Sequence, residues 1–196
     1  MKSPVYWHPD LYHFIMRRLY GKDFTVRYEA IEKLIPENSD VVELCMGDAY
    51  LYRNYLSSKK INYLGLDINQ TFVKAAIQKN IPAKIHNLLT DEIPVADYII
   101  IQASLYQFIP REKKIIQKML ASAGKKLVIA EAIKNRADSP NPLVSFLAKN
   151  FVDPGTGKAA LRFNATSLLE CFRSFKEFRE ELTIESGKEM IGVFVK

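Results

Sequence analysis

The chain is poor in cysteine, histidine, glycine and tryptophan: its 196 residues include two, three, eight and one of these. Cys45 falls in a turn and Cys171 in a helical pattern, so they form no disulfide framework, and a reducing compartment is expected. The few histidines and cysteines show no metal-ligand spacing, which excludes a zinc site; no metal is expected. The sparse glycines build neither a G-x-G-x-x-G fingerprint nor a G-x-S-x-G elbow. No apolar run approaches the roughly 18 residues of a membrane span, and the N-terminus MKSPVYWHPDLY lacks the apolar core of a signal peptide. A cytoplasmic protein without membrane contact is expected. Charge of one sign is not concentrated either. The net +6 comes from 28 basic and 22 acidic residues spread along the chain. Pairs such as Arg17-Arg18 and Lys125-Lys126 read as solvated helix surface rather than as a nucleic-acid stripe.

What is present is an ordinary globular composition, 48% hydrophobic and 26% charged, of a length that suits one domain. The stretch from Asp40 to Asn69 organises it. Asp40 to Leu44 is an apolar run, Cys45 to Ala49 a small-residue turn, Tyr50 to Leu56 a helical pattern, and Ile61 to Leu66 a second apolar run ending at Asp67. Strand, tight turn, helix and an acid about 20 residues on is the pattern that holds an adenine-ribose cofactor. Gly47 lets backbone approach the ligand, and the acid accepts hydrogen bonds from ribose hydroxyls.

Before this stretch, residues 3–37 read as helical, with Gly21 as a break. A second helix from Thr25 to Leu34 turns Ile31, Leu34 and Ile35 inward. The aromatics Tyr6, Trp7, Tyr12, Tyr20 and Tyr28 either cover a sheet edge or line a lid. After Asp67 a helix is expected over Gln70 to Lys79, packing Phe72, Val73, Ala76 and Ile77. A third strand covers Ala83 to His86 and a fourth Tyr98 to Gln102. A helix spans Arg111 to Ser122, and a fifth strand Lys125 to Glu131. Alternating strands and helices imply a parallel sheet covered on both faces. The pattern loosens from Asn135 to Phe163, tightens into a helix over Ala165 to Phe175 capped by Asn164 or Thr166, and ends in a β-hairpin turning at Glu185 to Lys188. Asp153-Pro-Gly-Thr-Gly-Lys158 misses the phosphate-loop spacing.

Taken in order, these pieces resemble a class I S-adenosylmethionine (SAM)-dependent methyltransferase. Glu43, Cys45, Gly47 and Ala49 stand at that family's acid and three glycine positions. Asp67, in YLGLDIN, matches the acid that holds both ribose hydroxyls, with Ile68 at the position packing on adenine. Asn87-Leu88 matches the place where an aspartate often reads the adenine amine. ADYIIIQASLYQF resembles the family's fourth strand, setting Gln102, Ala103 and Ser104 beside the cofactor's methionine part. The resemblance implies a single-domain α/β Rossmann-like sandwich. Its mostly parallel seven-stranded sheet ends in an antiparallel β-hairpin, with helices on both faces. Residues 1–37 would form an N-terminal helical lid, 38–134 the cofactor-binding core, 135–165 a substrate-side insertion and 166–196 the last helix and hairpin.

The implied reaction is methyl transfer from SAM to a small-molecule O or N nucleophile, by a monomer or homodimer. Gln107 replaces the family's frequent histidine, so a general base is missing from its usual place. The acceptor is then anionic or an unprotonated amine, or the base comes from His8, His13 or Glu131, or the chain binds SAM without catalysis. Tyr106 stands either to orient a substrate oxygen or to pack. Glu131 and Arg162 are the substrate-side candidates, Arg162 suiting an acidic group. The competing readings are a SAM-binding protein without catalysis and an RNA methyltransferase. A nicotinamide enzyme is disfavoured because Tyr50 fills the third glycine position.

Overall fold

The computed structural model describes residues 25–134, 161–184 and 187–196. The described residues include seven strands: β1 (Asp40–Leu44), β2 (Asn62–Asp67), β3 (Ala83–Ile85), β4 (Ala96–Gln102), β5 (Ala123–Ala132), β6 (Phe178–Ile184) and β7 (Glu189–Val195). They form one sheet in the order β3-β2-β1-β4-β5-β7-β6. The pairs from β3 across to β5 are parallel, and β7 enters antiparallel between β5 and β6. This is the α/β sandwich with a terminal hairpin that the alternating pattern implied. The strand pairing reverses between β1 and β4, which leaves a crevice at their carboxyl ends.

Both faces of the sheet's inner strands are buried, so these strands alternate between two apolar cores rather than between core and water, while the edge strands β3 and β6 are largely exposed. On one face Val42, Leu44, Ile99, Ile101, Leu127 and Ile129 pack with helices α3 (Glu112–Ser122) and α4 (Ala165–Arg173). On the other, Val41, Tyr98, Ile100, Val128 and Ala130 meet α1 (Val26–Leu34) and α2 (Gln70–Gln78). Helix α4 begins at Asn164, whose side chain and that of Ser167 cap each other's backbone N–H groups. The Lys59 ammonium caps the other end of α1 through the Glu32 and Ile35 carbonyls, each at 2.7 Å.

The expected helix over Tyr50 to Leu56 is a π-helical turn, Tyr52–Leu56, followed by a short 3-10 turn at Ser57–Lys59. Its aromatics explain the change. Residues five apart sit about 140° apart on an α-helix, whereas i→i+5 winding aligns them. Tyr50 and Tyr55 thereby both reach Tyr28, with ring centroids 4.7 and 5.9 Å away, while Tyr52 stacks on Tyr63 at 4.2 Å. Helix α2 also departs from expectation. It buries Phe72, Val73 and Ala76, but Ile77 is 54% exposed, because the short β3 leaves the outer flank of α2 uncovered. Leu34 is half-buried beside the fully enclosed Ile31 and Ile35. The helical stretch and aromatics expected before residue 25, His8, His13, the segment 135–160 and the hairpin residues 185–186 lie outside the described residues.

Gly192 on β7 shows how tightly the hairpin is fitted. A Cβ there would run into the ring of Phe172, which is fully buried between α4 and the sheet. Gly192→Ala is expected to lower the free energy of unfolding by about 1–3 kcal/mol, the usual cost of overpacking. Urea unfolding monitored by circular dichroism measures it.

Candidate cofactor site at the strand ends

The turn after β1 carries the site. Cys45, Gly47 and Ala49 all adopt left-handed backbone conformations, with φ of 54°, 57° and 55°. These are the three positions where the resemblance places glycines, and the geometry shows why small residues stand there: a branched or bulky side chain at positive φ is strained. Ala103, at the end of β4, has φ 47°. The turn is pinned by β2. Asp67 Oδ2 accepts the Gly47 N–H at 2.9 Å, and Asp67 Oδ1 accepts the Asn69 N–H at 2.8 Å. The two bonds fix both oxygens of the carboxylate.

Two cavities flank the turn. The larger, of about 300 Å³, is walled by Leu44, Leu66, Ile68, Leu88 and Phe108, with Asn87, Gln107 and His86 among its polar atoms. Ile68 is 61% exposed, an apolar side chain standing at the mouth of an apolar slot. Asn87 anchors the β3–β4 loop: its N–H donates to Asp91 at 2.8 Å and its Oδ1 accepts from the Leu89 N–H at 3.1 Å. The smaller cavity, of about 40 Å³, is lined by Gly47, Asp48, Gln102, Ala103, Ser104 and Arg27. Cys45 borders both. Burial, with Asp67 nearby, pushes its thiol well up, so it stays protonated.

Glu43 lies beneath the smaller cavity with no exposed surface. It accepts hydrogen bonds from Tyr63 Oη and Gln102 Nε2, both at 2.6 Å. Burial raises its carboxyl to about 7 against the pull of those two donors. Glu131, 1% exposed, is likewise pushed by burial to about 7, opposed by the backbone N–H groups of Tyr106 and Ala132 that its oxygens accept. Tyr106 lines neither cavity. Its ring carries the Arg162 guanidinium, 3.5 Å from the centroid, a cation–π contact.

The sequence-derived residues thus converge from four strand ends: Gly47 and Ala49 after β1, Asp67 and Ile68 at β2, Asn87 and Leu88 after β3, and Gln102 to Ser104 at β4. Gln107 faces the larger cavity, away from the smaller one. Arg27 was missed. It reaches the smaller cavity from α1, and its guanidinium pairs with Glu189 of β7 at 3.0 Å, both side chains buried. The signal was available: Arg27, Ile31 and Ile35 are spaced by four, which sets a charge on the buried stripe of the helix.

The donor set fits an adenosine linked to an amino acid. There is an apolar slot, a small-residue turn and an acid that holds that turn. The second, polar recess includes Gln102 Oε1, which is buried without a hydrogen-bond partner among the described residues. Among those residues no helix is long and apolar enough to cross a membrane, and no cluster of metal-binding side chains occurs.

No family model matches the sequence, and neither does any curated protein. Solved structures do match in fold. A TehB-like SAM-dependent methyltransferase from Corynebacterium glutamicum superposes with a TM-score of 0.65 at 16% identity, over 96% of this chain and 97% of the other. Magnesium protoporphyrin IX methyltransferase from Synechocystis, with bound S-adenosylhomocysteine (SAH), gives 0.64 at 15% identity over 94% of each chain. A putative methyltransferase in complex with the Haloferax volcanii Trm112 activator gives 0.70 at 12% identity, over 100% and 98%. The chain therefore has the fold of class I SAM-dependent methyltransferases.

The two buried carboxyls set a pH dependence. Each is raised in the folded chain from an ordinary 4.5 to about 7, so between those values the folded state binds more protons than the unfolded one. Their stabilising contribution is complete below about 4.5 and is lost as pH rises to about 7. Urea midpoints measured from pH 5 to 8 should fall over that window, and Glu131→Gln should flatten the fall.

Proposed function

We propose that this chain binds SAM across the two cavities and transfers its methyl group to a small-molecule O or N nucleophile. The observation that carries this reading is the Asp67 carboxylate, which follows Leu66 and precedes Ile68 of the apolar slot and holds the left-handed turn that borders the polar recess. Leu44, Leu66, Ile68 and Leu88 would enclose the adenine, and Asn87 would read its polar edge. Asp67 would accept the ribose hydroxyls. Gln102, Ser104 and Arg27 would hold the amino-acid end, Arg27 offering a cation to the carboxylate.

The cofactor's sulfonium supplies an electrophilic methyl group and its own leaving group. The protein's task is to hold the acceptor in line and keep water out, and orientation alone is worth roughly 7–11 kcal/mol. Neither Glu131 nor Gln107 offers a free base. Glu131 is committed to two backbone N–H groups and Gln107 has no basic form near neutrality. An acceptor that is already anionic, or an unprotonated amine, suits this site. Arg162, which lies over the Tyr106 ring and whose charge acts on Glu131, supports an acceptor with an acidic group.

SAH at about 100 times its Kd stabilises a one-site protein by about 2.7 kcal/mol, which for this chain length raises Tm by about 5–10 °C. Asp67→Ala should abolish that shift, and NAD should give none. A shift with NAD alone would overturn the reading. Labelled-methyl transfer from SAM should enter a small-metabolite pool; incorporation into tRNA with salt-sensitive binding would instead identify an RNA methyltransferase.

A further inference from the structure

The loop between β3 and β4 is closed on itself. The Asn87 N–H donates to Asp91 Oδ2 at 2.8 Å, the Leu89 N–H to Asn87 Oδ1 at 3.1 Å, and Thr90 Oγ1 to Asp91 Oδ1 at 2.8 Å. These bonds hold residues 87–91 together as one unit and leave its place on the fold to other contacts. Helix α3 supplies them. Lys118 Nζ donates to the Leu88 carbonyl at 3.0 Å and to the Asp91 carbonyl. One turn further on, Ser122 Oγ donates to the Ile93 carbonyl at 2.9 Å. The two bonds differ in what they hold. Leu88 is buried and walls the larger cavity, whereas Ile93 does not line it. Residues 107–111 line the same cavity and run directly into α3 at Glu112. Lys118 therefore ties one part of the cavity wall to the helix that continues another.

We infer that Lys118 is a positioning residue, whose ammonium latches the β3–β4 loop to α3 and so fixes the width of the slot read above as the adenine site. This rests on the SAM reading and extends it to a side chain that lines neither cavity. An ammonium has three donors, and two of them are spent on carbonyls of one loop. Such charge-assisted bonds are roughly twice as strong as neutral ones. Without them, residues 87–91 keep their internal bonds and shift as a unit, carrying Leu88 away from the slot. A ligand that needs the closed arrangement then binds only the closed fraction, and its apparent affinity falls with that fraction. The Ser122 bond reaches the loop beyond the cavity wall, so it serves stability and not the slot.

The test uses SAH and 5′-methylthioadenosine, which share the adenosine, in isothermal titration calorimetry. Lys118→Met keeps the apolar stem and the helix-forming tendency and removes only the ammonium. Both ligands should bind this variant about 10- to 100-fold more weakly than the wild type, and by the same factor, the usual worth of a hydrogen bond to a charged group. Ser122→Ala should lower the urea midpoint, because it leaves the Ile93 carbonyl unpaired, yet keep both affinities within about threefold of the wild type. In ¹H–¹⁵N spectra of ligand-free Lys118→Met, the amide signals of Asn87 to Asp91 should shift while those of β1 and β4 stay in place. Saturating SAH should return the shifted signals to their wild-type positions. Unchanged affinities in Lys118→Met overturn the latch. Equal losses in the two variants, or shifts spread through the sheet, make Lys118 a general structural anchor and overturn it as well. Failure of the wild type to bind either ligand overturns the cofactor reading instead, so the two failures are distinct.

Discussion

The hydrogen bond from the Gly47 N–H to the Asp67 carboxylate is the constraint on which the site depends. β1 and β2 run parallel and in register, so the turn after one arrives beside the end of the other. Cys45 and Ala49 in that turn sit in left-handed conformations, at a cost of about 1–2 kcal/mol each for residues with a Cβ. Asp67 accepts two backbone N–H groups, and hydrogen bonds to a charged partner contribute about 1.5–3 kcal/mol each. The two sums are of similar size. Asp67 can thus offset the strain of a turn that has one glycine among its three left-handed residues.

The second feature is buried charge. Glu43, Glu131 and the Arg27–Glu189 pair cluster below the carboxyl ends of the strands, in a part of the fold that apolar side chains would fill at lower cost. Buried ion pairs seldom add net stability over packed hydrophobes, so their place here points to specificity. Arg27–Glu189 ties α1 to β7 across the smaller cavity. Glu43 fixes an amide, and Glu131 fixes the Tyr106 backbone under the Arg162 stack. Each carboxylate works by holding something else in place. This suits a reaction in which alignment matters more than proton transfer.

Most of the strand ends that meet at the candidate site were legible in the sequence. Apolar runs closing on Glu43, Asp67, Asn87 and Gln102, separated by helical patterns, name the strand ends of a parallel sheet, and such sheets bind ligands there. The small residues Cys45, Gly47 and Ala49 announced a turn of unusual backbone shape. The division of labour among the acids was not legible. Glu43 and Asp67 look alike in sequence, as acids ending or nearly ending apolar runs. Yet Glu43 points to the α1 and α2 side of the sheet and is sealed beneath Gln102 and Tyr63, while Asp67 reaches the turn.

The sequence by itself determined the layers of this protein. Two-sided burial follows from apolar runs without alternation, the parallel core from the helices between them, and the antiparallel close from the last two runs and their short turn. These are properties of neighbours in the chain. Tertiary structure decided what depends on residues far apart. Arg27 becomes a site residue only because Glu189, 162 positions away, meets it at the edge of the cavity. The turn Tyr52–Leu56 becomes π-helical only because Tyr28 and Tyr63 stand where its rings must go. Gln102 is tied to β1 only because Glu43, one strand over, accepts its side-chain N–H. Local spacing encodes which face a residue takes; the partner it finds there is set by the packing of elements that the spacing does not connect.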